Sequence, residues 1–168
     1  MCALAMETFN RGGRSRTETT QEQVLVVGVG NLLIGDEGVG VHVVQELRRR
    51  SWPEHVTLVA SATGGVHLLE LLQSAPRVIL IDATRDGLWP GSVSHFHVVE
   101  PSDFPPALGD HDIGMKALLT AAALVDELPA IEVITISIDE TKSFDEELSQ
   151  DVAAALPEVE RLVRRLVE

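Results

Sequence analysis

Two adjacent acids stand inside a glycine-rich turn: GVGNLLIGDEGVG, residues 28–40, carries Asp36 and Glu37. An apolar run, Val24 to Val27, precedes the turn, and the helical spacing Val39, Val43, Leu47 follows it. A glycine-rich turn between a strand and a helix is a common cradle for phosphate, because the backbone N–H groups and the helix dipole face the ligand. The dinucleotide pattern GxGxxG begun at Gly28, however, meets Leu33 where its last glycine belongs. Begun at Gly30, GNLLIG matches the first half of a phosphate loop, but the Lys and Ser or Thr that should follow are Asp36 and Glu37. Carboxylates beside a polyphosphate cost on the order of 1–4 kcal/mol for each close like-charge pair. Nucleotide phosphate is therefore the wrong ligand, and oxygen donors on a tight turn suit a cation. A structural role for the same residues stays open, with Asp36 capping the helix and Glu37 suiting its dipole.

Two further side chains fall in the same layer. Asp82 closes the apolar run RVILID, residues 77–82, where an acid either faces a ligand or bonds the start of a neighbouring helix. His111, in GDHDIGMKALL, stands where a loop enters a helix and either serves a site or partners that helix start. Two carboxylates and an imidazole make an O,O,N set with open positions, suited to nickel, zinc, iron or manganese. His95 and His97 share one face of their strand and read as a solvent-facing pair, while His42 and His67 lie within helices in surface or satisfied roles. The acids at 139–147 read as a solvated surface around the last loop. No GxSxG nucleophile elbow or HExxH zinc helix is present, and the one cysteine is Cys2.

The elements that position these residues follow from periodicity. Residues 23–29, rich in β-branched residues, and 77–82 are expected as buried strands, and 56–60 and 132–138 as further strands. Residues 92–99 (SVSHFHVV) alternate, as a half-exposed edge strand does. Helical patterns cover residues 36–50, 65–74, 113–127 and 146–167. The last of these carries a stripe of Leu148, Val152, Leu156, Val159, Val163 and Leu166, with Pro157 expected to kink or split it. Strands alternating with helices imply an α/β fold, a three-layer α/β/α sandwich. Its central sheet is mostly parallel and about five-stranded, with one edge strand expected to be antiparallel. In such a sheet ligands bind at the carboxyl ends of the strands, which is where Glu37, Asp82 and His111 fall.

Length and composition bound the rest. A chain of 168 residues, 45% hydrophobic and 23% charged, suits one ordinary domain, here residues 23–168 behind a tail without fixed structure at 1–22. The formal net charge of −13 argues against nucleic acid and anionic lipid as partners. A single cysteine allows no internal disulfide. The opening residues place their arginines after a brief apolar start, the reverse of a secretory signal, and no run approaches membrane-spanning length. A reducing cytoplasm is the expected location.

The stretch VLVVGVGNLLIGDEGVGVHVVQEL closely resembles the opening of the hydrogenase maturation proteases. The resemblance continues through RVILIDA (77–83), HDIGMKALL (111–119) and LSQDVAAALPEV (148–159), and so spans roughly residues 23–165. It implies an endopeptidase that removes the C-terminal extension of a nickel–iron hydrogenase large-subunit precursor after nickel insertion. It implies Glu37, Asp82 and His111 as the catalytic and metal-binding set, with Asn31, Asp36, Thr63 and Gly64 as substrate-binding positions. Nickel would arrive within the precursor, and zinc or cadmium would serve as a surrogate in isolated protein, which is expected to be a monomer.

Departures from the family pattern keep a second function in view. The family's D-G-G-T-x-G turn after the second strand is replaced by Ala60-Ser61-Ala62-Thr63-Gly64-Gly65, so the expected aspartate is Ala60. The loop DETKSFDEELS also lacks the glycine that often precedes LS in the family. The alternative is a metal-sensing chaperone of the large subunit that keeps the ligands and has lost cleavage. A nucleotide-binding oxidoreductase rests on fold analogy alone, against the failed glycine pattern and the two acids.

Overall fold

A computed structural model gives the structure of residues 21–62, 66–105, 120, 129–139 and 144–168. Five strands build one sheet: β1 (Val24–Val29), β2 (Val56–Ser61), β3 (Arg77–Thr84), β4 (Val93–Val98) and β5 (Ala130–Ser137). Among the described residues three helices join it: α1 (Val39–Leu47), α2 (Val66–Leu72) and α3 (Gln150–Val167). The strand order is β2-β1-β3-β5-β4. Every pairing is parallel except that of β4, which runs antiparallel to β5 at the edge, as its alternating sequence predicts.

Side-chain alternation divides the core into two layers. Val24 and Val26 of β1, Ile79 and Ile81 of β3, and Ile134 and Ile136 of β5 pack under α1 and α3. The intervening residues, Leu25, Val27, Val78, Leu80, Ile131 and Val133, meet Leu68 and Leu72 of α2 and Phe104. Both faces of the three central strands are thus covered, which is why β1 and β3 read as unbroken apolar runs.

Several elements differ from the sequence expectation, three of them for a clear physical reason. The helix expected from residue 36 begins as a 3-10 turn, Gly35–Gly38, and becomes α-helical at Val39. β3 continues two residues past Asp82 because its ladder with β5 extends to Thr84 opposite Ser137. α3 runs as one helix through Pro157. Both Pro157 and Ala153, whose carbonyl loses its i+4 donor, are exposed, so the break in hydrogen bonding falls on the solvent side. The helix expected at 113–127 and most of the expected tail at 1–22 lie outside the described residues. Among the described residues no helix is long and apolar enough to cross a membrane.

The order β2-β1-β3 fixes where a ligand can sit. The chain leaves β1 toward β2 on one side and later leaves β3 toward β5 on the other, so the connections diverge between β1 and β3. In doubly wound sheets the crevice at this switch point, outside the carboxyl ends of the strands, is the binding position.

Candidate functional site

The turn after β1 is folded tightly enough to exclude side chains at specific places. Gly30 has φ 150°, and a Cβ there would meet the carbonyl oxygen of Glu37. The Asn31 N–H donates to that same carbonyl at 3.2 Å, and the Glu37 N–H donates back to Ile34 at 3.1 Å. The Asn31 side chain stays local, its Oδ1 accepting the Leu33 N–H at 3.0 Å. At the start of α1, a Cβ on Gly40 would lie 2.3 Å from the Val29 oxygen and 2.4 Å from the Ile81 oxygen. The first turn of the helix therefore sits directly on the ends of β1 and β3, and Glu37 is carried over the switch point between them.

The two acids of the turn part company. Asp36 is buried and accepts the Ser149 N–H at 2.7 Å, binding the turn to the start of α3 across 113 residues of sequence. Its side chain does not cap α1, whose N-terminus has no side-chain cap. Glu37 is mostly buried, its side chain 12% exposed, and is ion-paired through Oε1 to Nη2 of Arg85. The fold thus separates a structural carboxylate from one presented at the crevice, a distinction the adjacent letters DE do not carry.

Asp82 is 5% exposed and lies on the face of β3 shared with Val78 and Leu80. The ladder between β1 and β3 stops at Gly28 opposite Ile81, so Asp82 is the first residue of β3 beyond it. Its Oδ1 accepts the following N–H, of Ala83, at 2.8 Å. Glu37 and Asp82 accordingly flank the switch point from the two strands that define it. His111, Thr63 and Gly64 lie outside the described residues. Among the described residues no group of three His, Cys, Asp or Glu side chains is close enough to hold an ion.

Arg85 is a site residue that the sequence reading missed. The signal was present: one cation three residues after Asp82, on the loop leaving β3, in a chain of net charge −13. The rim is also more apolar than the sequence suggested. Leu33, Leu88, Trp89 and Phe144 are exposed, Trp89 by 86% and Phe144 by 91%, on loops that follow β1, β3 and β5. The bridge between Ile34 and Asp145 brings Leu33 and Phe144 to neighbouring positions. Away from this rim, His95 and His97 both bond the Glu132 carboxylate, at 2.6 and 2.8 Å, so the pair is tied to β5 rather than simply solvated. The substituted turn begins beside the site: Ala60 lies opposite Gly28 in the ladder and Ser61 opposite Val29.

The sequence model of the family described as hydrogenase maturation protease matches residues 41–165. A hydrogenase expression/formation protein HoxM from Azotobacter vinelandii is 32% identical over 144 residues, covering 82% of this chain and 68% of that protein. HupD of Bradyrhizobium diazoefficiens is 35% identical over 116 residues, 67% of this chain. The chain spans only 60% of the length of that relative. Among solved structures, the hydrogenase maturating endopeptidase HybD from E. coli superposes with a TM-score of 0.73 at 28% identity, covering 86% of this chain and 91% of that one. The nickel–iron hydrogenase maturation protease HybD from Thermococcus kodakarensis gives a TM-score of 0.65 at 25% identity, covering 87% and 99%.

Proposed function

This chain belongs to the hydrogenase maturation protease family, and on that premise we propose that it is an endopeptidase acting on a nickel–iron hydrogenase large-subunit precursor. In this reading it removes the precursor's C-terminal extension, does so after nickel insertion, and works as a monomer. The observation that carries the reading is the placing of Glu37 and Asp82, two mostly buried carboxylates, on either side of the switch point between β1 and β3. The donor set suits a divalent ion, since a positive group, the Arg85 guanidinium, already rests against Glu37. Glu37 and Asp82 would hold nickel brought by the precursor, with His111 as the third ligand. Zinc or cadmium would occupy the same donors in isolated protein.

A divalent ion held there supplies Lewis acidity, toward the scissile carbonyl or toward an attacking water. The chain's own contribution is to position. Gly40 seats the helix start on two strand ends, and Asp36 fixes the turn to α3. Glu37 is thereby held on a rigid base while the apolar rim of Leu33, Trp89 and Phe144 offers a macromolecular substrate a surface on which to dock. Asn31, on the turn after β1, would line the approach of the extension together with Thr63 and Gly64.

The test is cleavage of nickel-loaded and nickel-free precursor by wild type and Glu37→Gln side by side. Gln keeps the shape and loses the charge. Wild type is expected to cut the loaded precursor alone, and the variant to lose at least two orders of magnitude in rate, about 10²-fold or more. A variant that cuts as well as wild type removes Glu37 from the centre. Binding of precursor by both proteins without cleavage favours instead the non-cleaving chaperone, which the substitution of Ala60 for the family's aspartate motivates.

A further inference from the structure

The cation resting on Glu37 is part of the chain itself, and this has a consequence for how metal enters. We propose that Arg85 is an internal counter-cation that weakens the hold of Glu37 on free divalent metal and yields most readily when metal is presented together with the rest of the substrate. The proposal rests on the assignment of Glu37 as a metal ligand.

Four features of the site support it. Glu37 is 12% exposed, so a carboxylate left unpaired there would be costly, and the fold supplies a partner of opposite charge. Arg85 is anchored close by: Thr84 pairs with Ser137 at the end of β3, and the Thr84 carbonyl accepts the Ile138 N–H at 2.9 Å. A guanidinium at Oε1 both occupies one donor oxygen and repels an incoming dication, so an ion can use both carboxylate oxygens of Glu37 only if Arg85 moves aside. The contact is also releasable. It runs through Nη2 to a single carboxylate oxygen, and Nε is buried without a partner among the described residues. The pair therefore falls short of the doubly bonded fork that makes Arg–carboxylate contacts firm.

Such an arrangement exchanges one positive charge for two. A free ion must displace Arg85 with the energy of its own few ligand bonds. An ion delivered by a docked precursor does so with the binding energy of the whole interface behind it. Arg85 is thus a positioning and selectivity residue: it keeps Glu37 oriented before the substrate arrives and disfavours scavenging of stray metal.

The experiment is calorimetric titration of nickel(II) chloride into the full chain, comparing wild type, Arg85→Gln, Arg85→Lys and the double variant Arg85→Gln/Glu37→Gln. Arg85→Gln is expected to bind nickel roughly tenfold tighter or more, the effect of removing a charged hydrogen bond from the ligand. Arg85→Lys keeps the charge and stays near wild type, and the double variant loses the gain. In chelator the melting temperature of Arg85→Gln falls, and added nickel raises it more than it raises that of wild type. A purely structural neutraliser would lower the melting temperature without tightening metal binding. Should Arg85→Gln not fold, Arg85→Met carries the same expectations. Nickel bound no more tightly by the uncharged variant than by wild type, including binding too weak to register in both, overturns the proposal and leaves the ligand assignment to the cleavage test. A gain that survives in the double variant overturns the proposal and the assignment together.

Discussion

Replacing Gly40 with alanine sets two effects of opposite sign against each other. In an exposed helix the change would stabilise by about 1 kcal/mol through backbone propensity. Here the added Cβ would lie 2.3 Å from the Val29 oxygen and 2.4 Å from the Ile81 oxygen, and real Cβ atoms essentially never approach within 3.0 Å. Relief requires a shift of about 0.7 Å, and both obstacles are backbone of the two central strands, which cannot rotate away as a side chain would. Overpacking of this kind costs roughly 1–3 kcal/mol, and two rigid contacts at once place it at the upper end. The net effect is a loss of about 1–2 kcal/mol, or a fall of roughly 2–8 °C in melting temperature for a domain of this size. Function should suffer more than stability. Glu37 belongs to the turn that leads into the same helix, and a misplacement of about 1 Å at a reacting centre costs on the order of 10²-fold in rate. Thermal unfolding followed by circular dichroism, with cleavage of nickel-loaded precursor on the same samples, measures both. A variant that melts at or above wild type and cleaves normally would refute the seating of α1 on the strand ends.

Other substitutions test neighbouring parts of the argument. Asp36→Ala leaves the Ser149 N–H without its acceptor and should cost about 2 kcal/mol, roughly 4–8 °C, while Asp36→Asn keeps an oxygen there and should cost less than half of that. Equal melting temperatures for Asp36→Ala and wild type would show that the turn is not fixed through α3. Trp89→Ser and Phe144→Ser, at sites 86% and 91% exposed, should change stability by no more than about 0.5 kcal/mol. They should still weaken binding of nickel-loaded precursor by roughly tenfold, as exposed aromatic anchors do, and unaltered binding would remove the rim from the interface. The Asp103 carboxyl is held below its ordinary value of 3.8 by the Glu100 and Val99 N–H groups. Its stabilising contribution is therefore present above that value and lost as pH falls through the lowered one. Asp103→Asn should flatten this acid limb in a titration of stability against pH, and an unchanged limb would contradict it.

Much of the fold was legible from local pattern. Unbroken apolar runs at β1 and β3, alternation at β4, and helical spacing in α1 and α3 each follow from which faces are buried, and burial is a property that side-chain order records directly. Boundaries were less legible, because partners decide them. β3 outlasts its expected end since β5 continues beside it to Ser137, and α3 tolerates Pro157 since the lost bond faces water. The sequence also exposed the anomaly at the centre, a glycine turn armed with acids, and placed Glu37 after β1 and Asp82 toward the carboxyl end of β3. Those conclusions need only residue type and position along the chain.

Tertiary structure alone decided what each acid does. Asp36 and Glu37 are neighbours with the same charge, yet one is consumed by the N–H of Ser149 and the other faces Arg85. The partners lie 113 and 48 residues away, beyond the reach of any local pattern. The same holds for the pairing of His95 and His97 with Glu132 and for the gathering of Leu33 and Phe144 on one rim. Chemistry is written in residue types, but a charge acquires its role from the group the fold sets against it, and that pairing exists only once the strands are in register.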